Sequence, residues 1–162
     1  MESNTPAKLI SIGGIFSAFA ILLHSSPVFL PGIGIILSPF ASLPIALSAA
    51  VSPYLGIITL LTSASILLLI SPQEAVIFLL TTGPLGLVLG LNYRKGKMIS
   101  LAVTGGILFI GINILTSIVG IEAFGDITPH YSLMITESIF ILFSFIYSYI
   151  WIIAFRFFIN FL

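Results

Sequence analysis

No cysteine occurs among the 162 residues, so the chain has neither a disulfide framework nor a thiolate metal site. Charge is almost as scarce. Five Lys and Arg with five Asp and Glu make up 6% of the sequence, against roughly 25% in a typical soluble domain. A water-soluble chain of this size would lack the polar residues needed to cover its outside. The formal net charge is zero, which leaves nucleic-acid binding without electrostatic footing. His24 and His130 are the two histidines, too far apart for the paired ligands of a zinc-protease helix. No serine stands in a Gly-x-Ser-x-Gly elbow. The glycines of the stretch from Thr82 to Gly90 follow no soluble strand, so a phosphate loop is not expected. An enzyme is therefore not expected, nor any cofactor.

What is abundant is apolar: 59% of the residues are hydrophobic. Lipid removes the burial problem provided that every backbone group is bonded within a helix or a closed barrel. Long apolar runs without two-residue alternation favour helices. The expected fold is all-α, a polytopic transmembrane bundle of about six helices forming a single integral membrane domain over residues 1–162. The first span runs from about Lys8 to His24. It resembles a signal-peptide core, yet His24-Ser25-Ser26-Pro27 lacks a small-x-small cleavage pattern, and an uncleaved helix is expected. The second, from about Gly32 to Val51, is interrupted by Pro39 and Pro44 and should be kinked or broken. Ser52-Pro53 opens the third, to about Ile70, and Ser71-Pro72 the fourth, to about Leu91. Each offers a Ser for the N-cap and a Pro for the first helical position. Glu74, three residues after Ser71, completes a capping-box pattern. Arg94-Lys95-Gly96-Lys97 is a basic loop, and the fifth span follows from about Met98 to Val119. Thr128-Pro129 starts the last helix, which continues almost to Leu162.

With these spans, Lys8, Arg94, Lys95, Lys97 and Arg156 all fall on one side of a membrane. His24, Glu74, Glu122, Asp126, His130 and Glu137 fall on the other, and only Glu2 breaks the sorting. Basic loops stay cytoplasmic, so both termini are expected inside a cell membrane, with the acidic face outward. The last helix exceeds the roughly 20 residues a span requires. With Arg156 at the inner boundary, the outer one falls near Glu137, and His130 and Tyr131 stand beyond the hydrocarbon.

Each polar residue admits a plain use and a functional one. Glu74 caps its helix or contacts a ligand. Glu122 and Asp126 read as a solvated loop. Asn113, mid-span, needs a partner for its amide, through an interhelical hydrogen bond or in a polar cavity. Glu137, ionisable at the edge of a span, is a functional candidate by default. Glu74, Asn113, Glu137, His130 and Tyr131 together are the candidate solute-binding residues, suited to a small polar or cationic solute. Gly86 with Gly90, and Gly14 with Ala18, are small residues four apart, which let helices approach closely in lipid. Packing is the plain use of both pairs. For Gly14 and Ala18 the alternative is a docking face for another membrane subunit.

The layout resembles the S components, the substrate-binding membrane subunits, of energy-coupling factor transporters. The shared features are a short six-helix chain with both ends inside and a small-residue-rich first helix, Ile12-Gly13-Gly14-Ile15-Phe16-Ser17-Ala18-Phe19-Ala20. A Pro-broken second span with Leu43-Pro44 follows, then Gly83-Pro84-Leu85-Gly86-Leu87-Val88-Leu89-Gly90 ahead of a basic loop. The resemblance implies capture of a vitamin, a precursor or a metal ion from outside. It also implies docking through the first helix onto a partner transmembrane subunit with two cytoplasmic ATPases. The family docks through two alanines four apart; Gly14 and Ala18 occupy the matching positions, with glycine in place of the first. Metal-transporting members carry a His near the N-terminus, and none occurs here before His24, which disfavours that subtype. The alternative from another class is a non-catalytic assembly protein packing through its Gly and Ala faces, in contact with membrane lipid but with no solute. A water-filled pore would need a repeated polar stripe that the spans lack.

Overall fold

A computed structural model describes the backbone of residues 6–121 and 133–161. Every regular element among them is helical. Six stretches are long and apolar enough to cross a membrane: Ala7–His24, Ile33–Val51, Pro53–Ile70, Pro72–Asn92, Lys97–Val119 and Leu133–Asn160. The chain is thus an all-α protein of six candidate membrane spans. It divides into two compact units, Met1–Leu91 and Asn92–Leu162.

The first unit holds four of the spans. Helix α1 covers Pro6–His24, and a short helix α2, Ser26–Phe29, follows at once. The second span consists of α3, Ile33–Leu37, a 3-10 turn over Ser38–Ala41, and α4, Ser42–Val51. Pro39 sits inside that turn, where its missing N–H forbids a continuous α ladder. The Ser42 hydroxyl and the Ser42 N–H both reach the Pro39 carbonyl, the hydroxyl at 2.9 Å. Pro44 falls in the first turn of α4, where an N–H has no helical partner anyway. Helices α5, Pro53–Ile70, and α6, Pro72–Leu80, each follow a single extended serine. Ser52 (φ −158°, ψ 135°) and Ser71 (φ −155°, ψ 108°) adopt the backbone that a following proline demands.

The fourth span departs from the expected single helix. Helix α6 ends at Leu80, Thr81 takes a non-helical conformation (φ −121°, ψ −86°), and α7 resumes over Thr82–Asn92. The cause is Pro84, which has no N–H to offer Leu80 and whose ring crowds that turn. The Thr81 hydroxyl ties the loosened end back to the Ile77 carbonyl at 2.6 Å. The capping box likewise forms only in part. Ser71 Oγ accepts from the Glu74 N–H at 3.4 Å, but the Ser71 N–H is taken by the Leu67 carbonyl at 2.8 Å. The Glu74 carboxylate points elsewhere.

Small residues set how closely these helices approach. The core combines Ala20, Ala41, Ala64 and Ala75 with Ile45, Leu60, Leu67 and Phe78. A Cβ at Gly86 would overlap the Ser42 carbonyl, and one at Gly90 the Ala46 carbonyl. Gly56 meets the Ala49 Cα and Cβ in the same manner. The pair at Gly86 and Gly90 therefore serves packing, with α7 laid directly on the backbone of α4. Gly34 rests against the carbonyl of Ser26, whose single hydroxyl proton is shared between the Leu23 carbonyl at 2.6 Å and the Gly34 carbonyl at 2.9 Å.

The second unit pairs α8, Lys97–Ile114, with α9, Leu133–Phe161. A π segment, Leu115–Val119, extends α8 and stops at left-handed Gly120 (φ 76°), where the Ile121 N–H reaches the Leu115 carbonyl at 3.1 Å. The ring of Phe145 lies on Gly105, 3.0 Å from where a Cβ would stand. Phe143, Tyr147 and Trp151 line one side of α9: the first pair is stacked with ring centroids 5.4 Å apart, and the second meets edge-on at 6.2 Å. The expected beginning of this helix at Thr128-Pro129 lies outside the described residues.

Substituting Gly90 with Leu should cost at least about 1–3 kcal/mol through overpacking against α4. Gly14→Ala, with nothing within 4 Å of the added methyl, should be neutral or stabilising by about 0.5–1 kcal/mol. Thermal unfolding in detergent reads the contrast; equal losses would contradict the packing assignment.

Candidate functional site

Among the described residues of the first unit, the most connected polar group is His24, the last residue of α1, with a side chain at 0% exposure. Its Nε2 lies 3.1 Å from the Glu74 carbonyl and 3.5 Å from Glu74 Oε2. Its Nδ1 lies 2.9 Å from Ser38 Oγ and 3.4 Å from Thr82 Oγ1. The Phe78 ring stands edge-on to the imidazole at 5.1 Å. A carbonyl oxygen only accepts, so Nε2 carries the proton; in the neutral ring the single lone pair of Nδ1 then accepts from the nearer hydroxyl, Ser38, with Thr82 Oγ1 alongside.

The sequence builds this cluster out of its helix interruptions. Ser38 opens the 3-10 turn made by Pro39, Thr82 opens α7 after the break made by Pro84, and Glu74 lies in the first turn of α6. The imidazole thus ties the end of α1 to both broken spans. Glu74 reaches the surface, its side chain 17% exposed against 0% for His24, and Ser38 and Thr82 are half-buried beside it. The arrangement presents one carboxylate at the edge of the unit, backed by a fully covered imidazole.

Of the candidates read from the sequence, Glu74 is placed in this cluster. Asn113 and Glu137 belong to the second unit. Asn113 is half-buried and donates to the Phe109 carbonyl of its own helix at 3.2 Å. Glu137 is half-buried in the second turn of α9. His130 and Tyr131 lie outside the described residues. His24, Ser38 and Thr82 were not among the sequence candidates. The available signal was the coincidence of His24 and Glu74 on one side of the membrane with two proline-made breaks in the spans between and after them.

Gly14 and Ala18 are both exposed on α1, and no atom stands within 4 Å of a Cβ built at Gly14. Gly13, next to it, faces inward, where an added Cβ would stand 3.0 Å from Leu55 Cδ1. Between α1 and α5 runs a groove of about 460 Å³, lined chiefly by Leu9, Gly13, Gly14, Tyr54, Leu55 and Ile58. Ser17 closes its floor by donating to the Thr59 carbonyl at 3.4 Å. No protein-family model, curated protein or solved structure matches the chain.

The energetic weight of the cluster is measurable. In a double-mutant cycle of His24→Leu and Ser38→Ala, the two losses should be non-additive by about 0.5–3 kcal/mol. Additive losses in detergent unfolding would mean that the 2.9 Å contact has no energetic consequence.

Proposed function

We propose that the chain is the solute-binding membrane subunit of an energy-coupling factor-type importer. It captures a small polar solute, a vitamin or precursor, from the outer face and has no catalysis of its own. Transport energy comes from a partner transmembrane subunit and its two cytoplasmic ATPases. The observation that carries the reading is the uncovered small-residue face of α1. Gly14 and Ala18 are exposed beside an apolar groove in a chain whose other small pair, Gly86 and Gly90, is used internally. In lipid, helix association rests on close backbone approach, and such a face suits a second helix. On this reading Glu74 is a solute-facing carboxylate, with His24 holding it in place.

Isolation of the tagged chain from native membranes in mild detergent tests the proposal. Wild type should bring down a larger membrane protein together with two ATPases. Gly14→Leu, which fills the face without touching the core, should lose them at unchanged expression. Recovery of the chain alone, or with an unrelated membrane protein through the same face, would instead support the assembly role.

A further inference from the structure

We propose that the basic end of the second unit is a binding site for the phosphodiester headgroup of an anionic phospholipid. The site lies where α8 begins and α9 ends. Arg94, Lys95 and Lys97 are exposed there, and Arg156 is half-buried beside them. Arg156 Nη2 donates to the Lys95 carbonyl at 2.6 Å, which fixes both the guanidinium and the loop. Arg94 is fixed as well: its Nε donates to Tyr93 Oη at 2.6 Å, and its guanidinium lies 5.2 Å from the centre of the same ring. That ring in turn stands edge-on to Phe155, at 6.3 Å. Two arginines are thus held in place before any ligand arrives, which lowers the entropy cost of binding.

Two further observations point to an anion. Arg156 Nε is buried without a hydrogen-bond partner, and a shielded donor on a charged group is costly to leave unmet. The second is the scarcity of counter-charge among the described residues. Among the described residues of this unit the one acid is Glu137, which α9 carries 19 residues before Arg156, roughly 28 Å away along a helix. A phosphodiester oxygen supplies both the acceptor and the charge, and arginine matches its geometry better than lysine. The lipid source is favoured over a soluble phosphate or an acidic protein by what surrounds the cations. Met98, Ile99 and Phe158 are exposed beside them, at 79%, 56% and 44%, on helices apolar enough to cross a membrane. Acyl chains cover such residues; a water-soluble partner would not.

The test uses the full chain in dodecyl maltoside and native mass spectrometry with phosphatidylglycerol and phosphatidylcholine of identical acyl chains. Phosphatidylglycerol should be retained about fivefold or more over phosphatidylcholine, and each of Arg94→Gln and Arg156→Gln should lower that preference about fivefold. Arg156→Lys keeps the charge but not the Nε donor and should restore only part of the loss. If Arg156→Gln unfolds, Lys95→Gln with Lys97→Gln, both exposed, carries the same expectation. Equal retention of the two lipids overturns the proposal, as does a preference that survives these substitutions. So does a thermal shift from inorganic phosphate or glycerol 3-phosphate equal to that from phosphatidylglycerol, which would mark a soluble-anion site. An acidic protein released by the same variants, with no lipid preference, would reassign the surface to that protein.

Discussion

In hydrocarbon, a backbone N–H or C=O that leaves the helical ladder has no water to turn to, so each interruption of a span must be answered by protein. This chain breaks two of its first four spans, at Ser38–Ala41 and at Thr81, and much of the first unit follows from how it answers them. Ser42 and Thr81 hydroxyls take carbonyls next to the breaks. His24 then joins the two interruptions to one another and to the first turn of α6. Remove the imidazole and two hydroxyls and a carboxylate lose their shared partner at the point where four elements converge. The same economy appears in the straight helices, where Thr59 and Ser63 turn their hydroxyls back to carbonyls one turn earlier.

Small side chains answer the other requirement of lipid, that helices hold together without water to expel. Gly86 and Gly90 bring α7 onto the carbonyls of α4, and Gly56 meets Ala49. Gly13 and Gly14, consecutive on α1, divide the labour. One faces Leu55, and the other has open space around it. Because successive helical residues point about 100° apart, a single Gly-Gly step serves the inside of the unit and leaves a smooth outer strip beside it.

The helical class, the six spans and most of their limits were legible in the sequence, because Ser-Pro pairs and apolar length are local signals. Ser52-Pro53 and Ser71-Pro72 mark true helix starts to the residue. The break at Thr81 was not anticipated, since Pro84 acts on a carbonyl four residues earlier inside an otherwise apolar run. The cluster at His24 was legible only in part. Its partners lie 14, 50 and 58 residues away, and only Glu74 announced itself by charge. Ser38 and Thr82 look like any other hydroxyls until the chain folds. For Asn113 the sequence offered a neighbouring helix or a polar cavity, and it could not show that the carbonyl one turn back was also within reach of the amide.

The spans are unequal in length, and a bilayer has to meet all of them. Ala7–His24 and Pro53–Ile70 are 18 residues each, whereas Leu133–Asn160 is 28, or roughly 27 Å against 42 Å as straight helices. The short spans fall just under an average hydrocarbon thickness of about 30 Å, and the long one exceeds it by about 12 Å. That surplus has to be absorbed by tilt, by projection into the headgroups or by local thickening, each at a cost that grows with every ångström. Bilayer thickness is therefore a variable to which this protein is mechanically exposed: thinning the membrane relieves α1 and α5 while deepening the mismatch of α9.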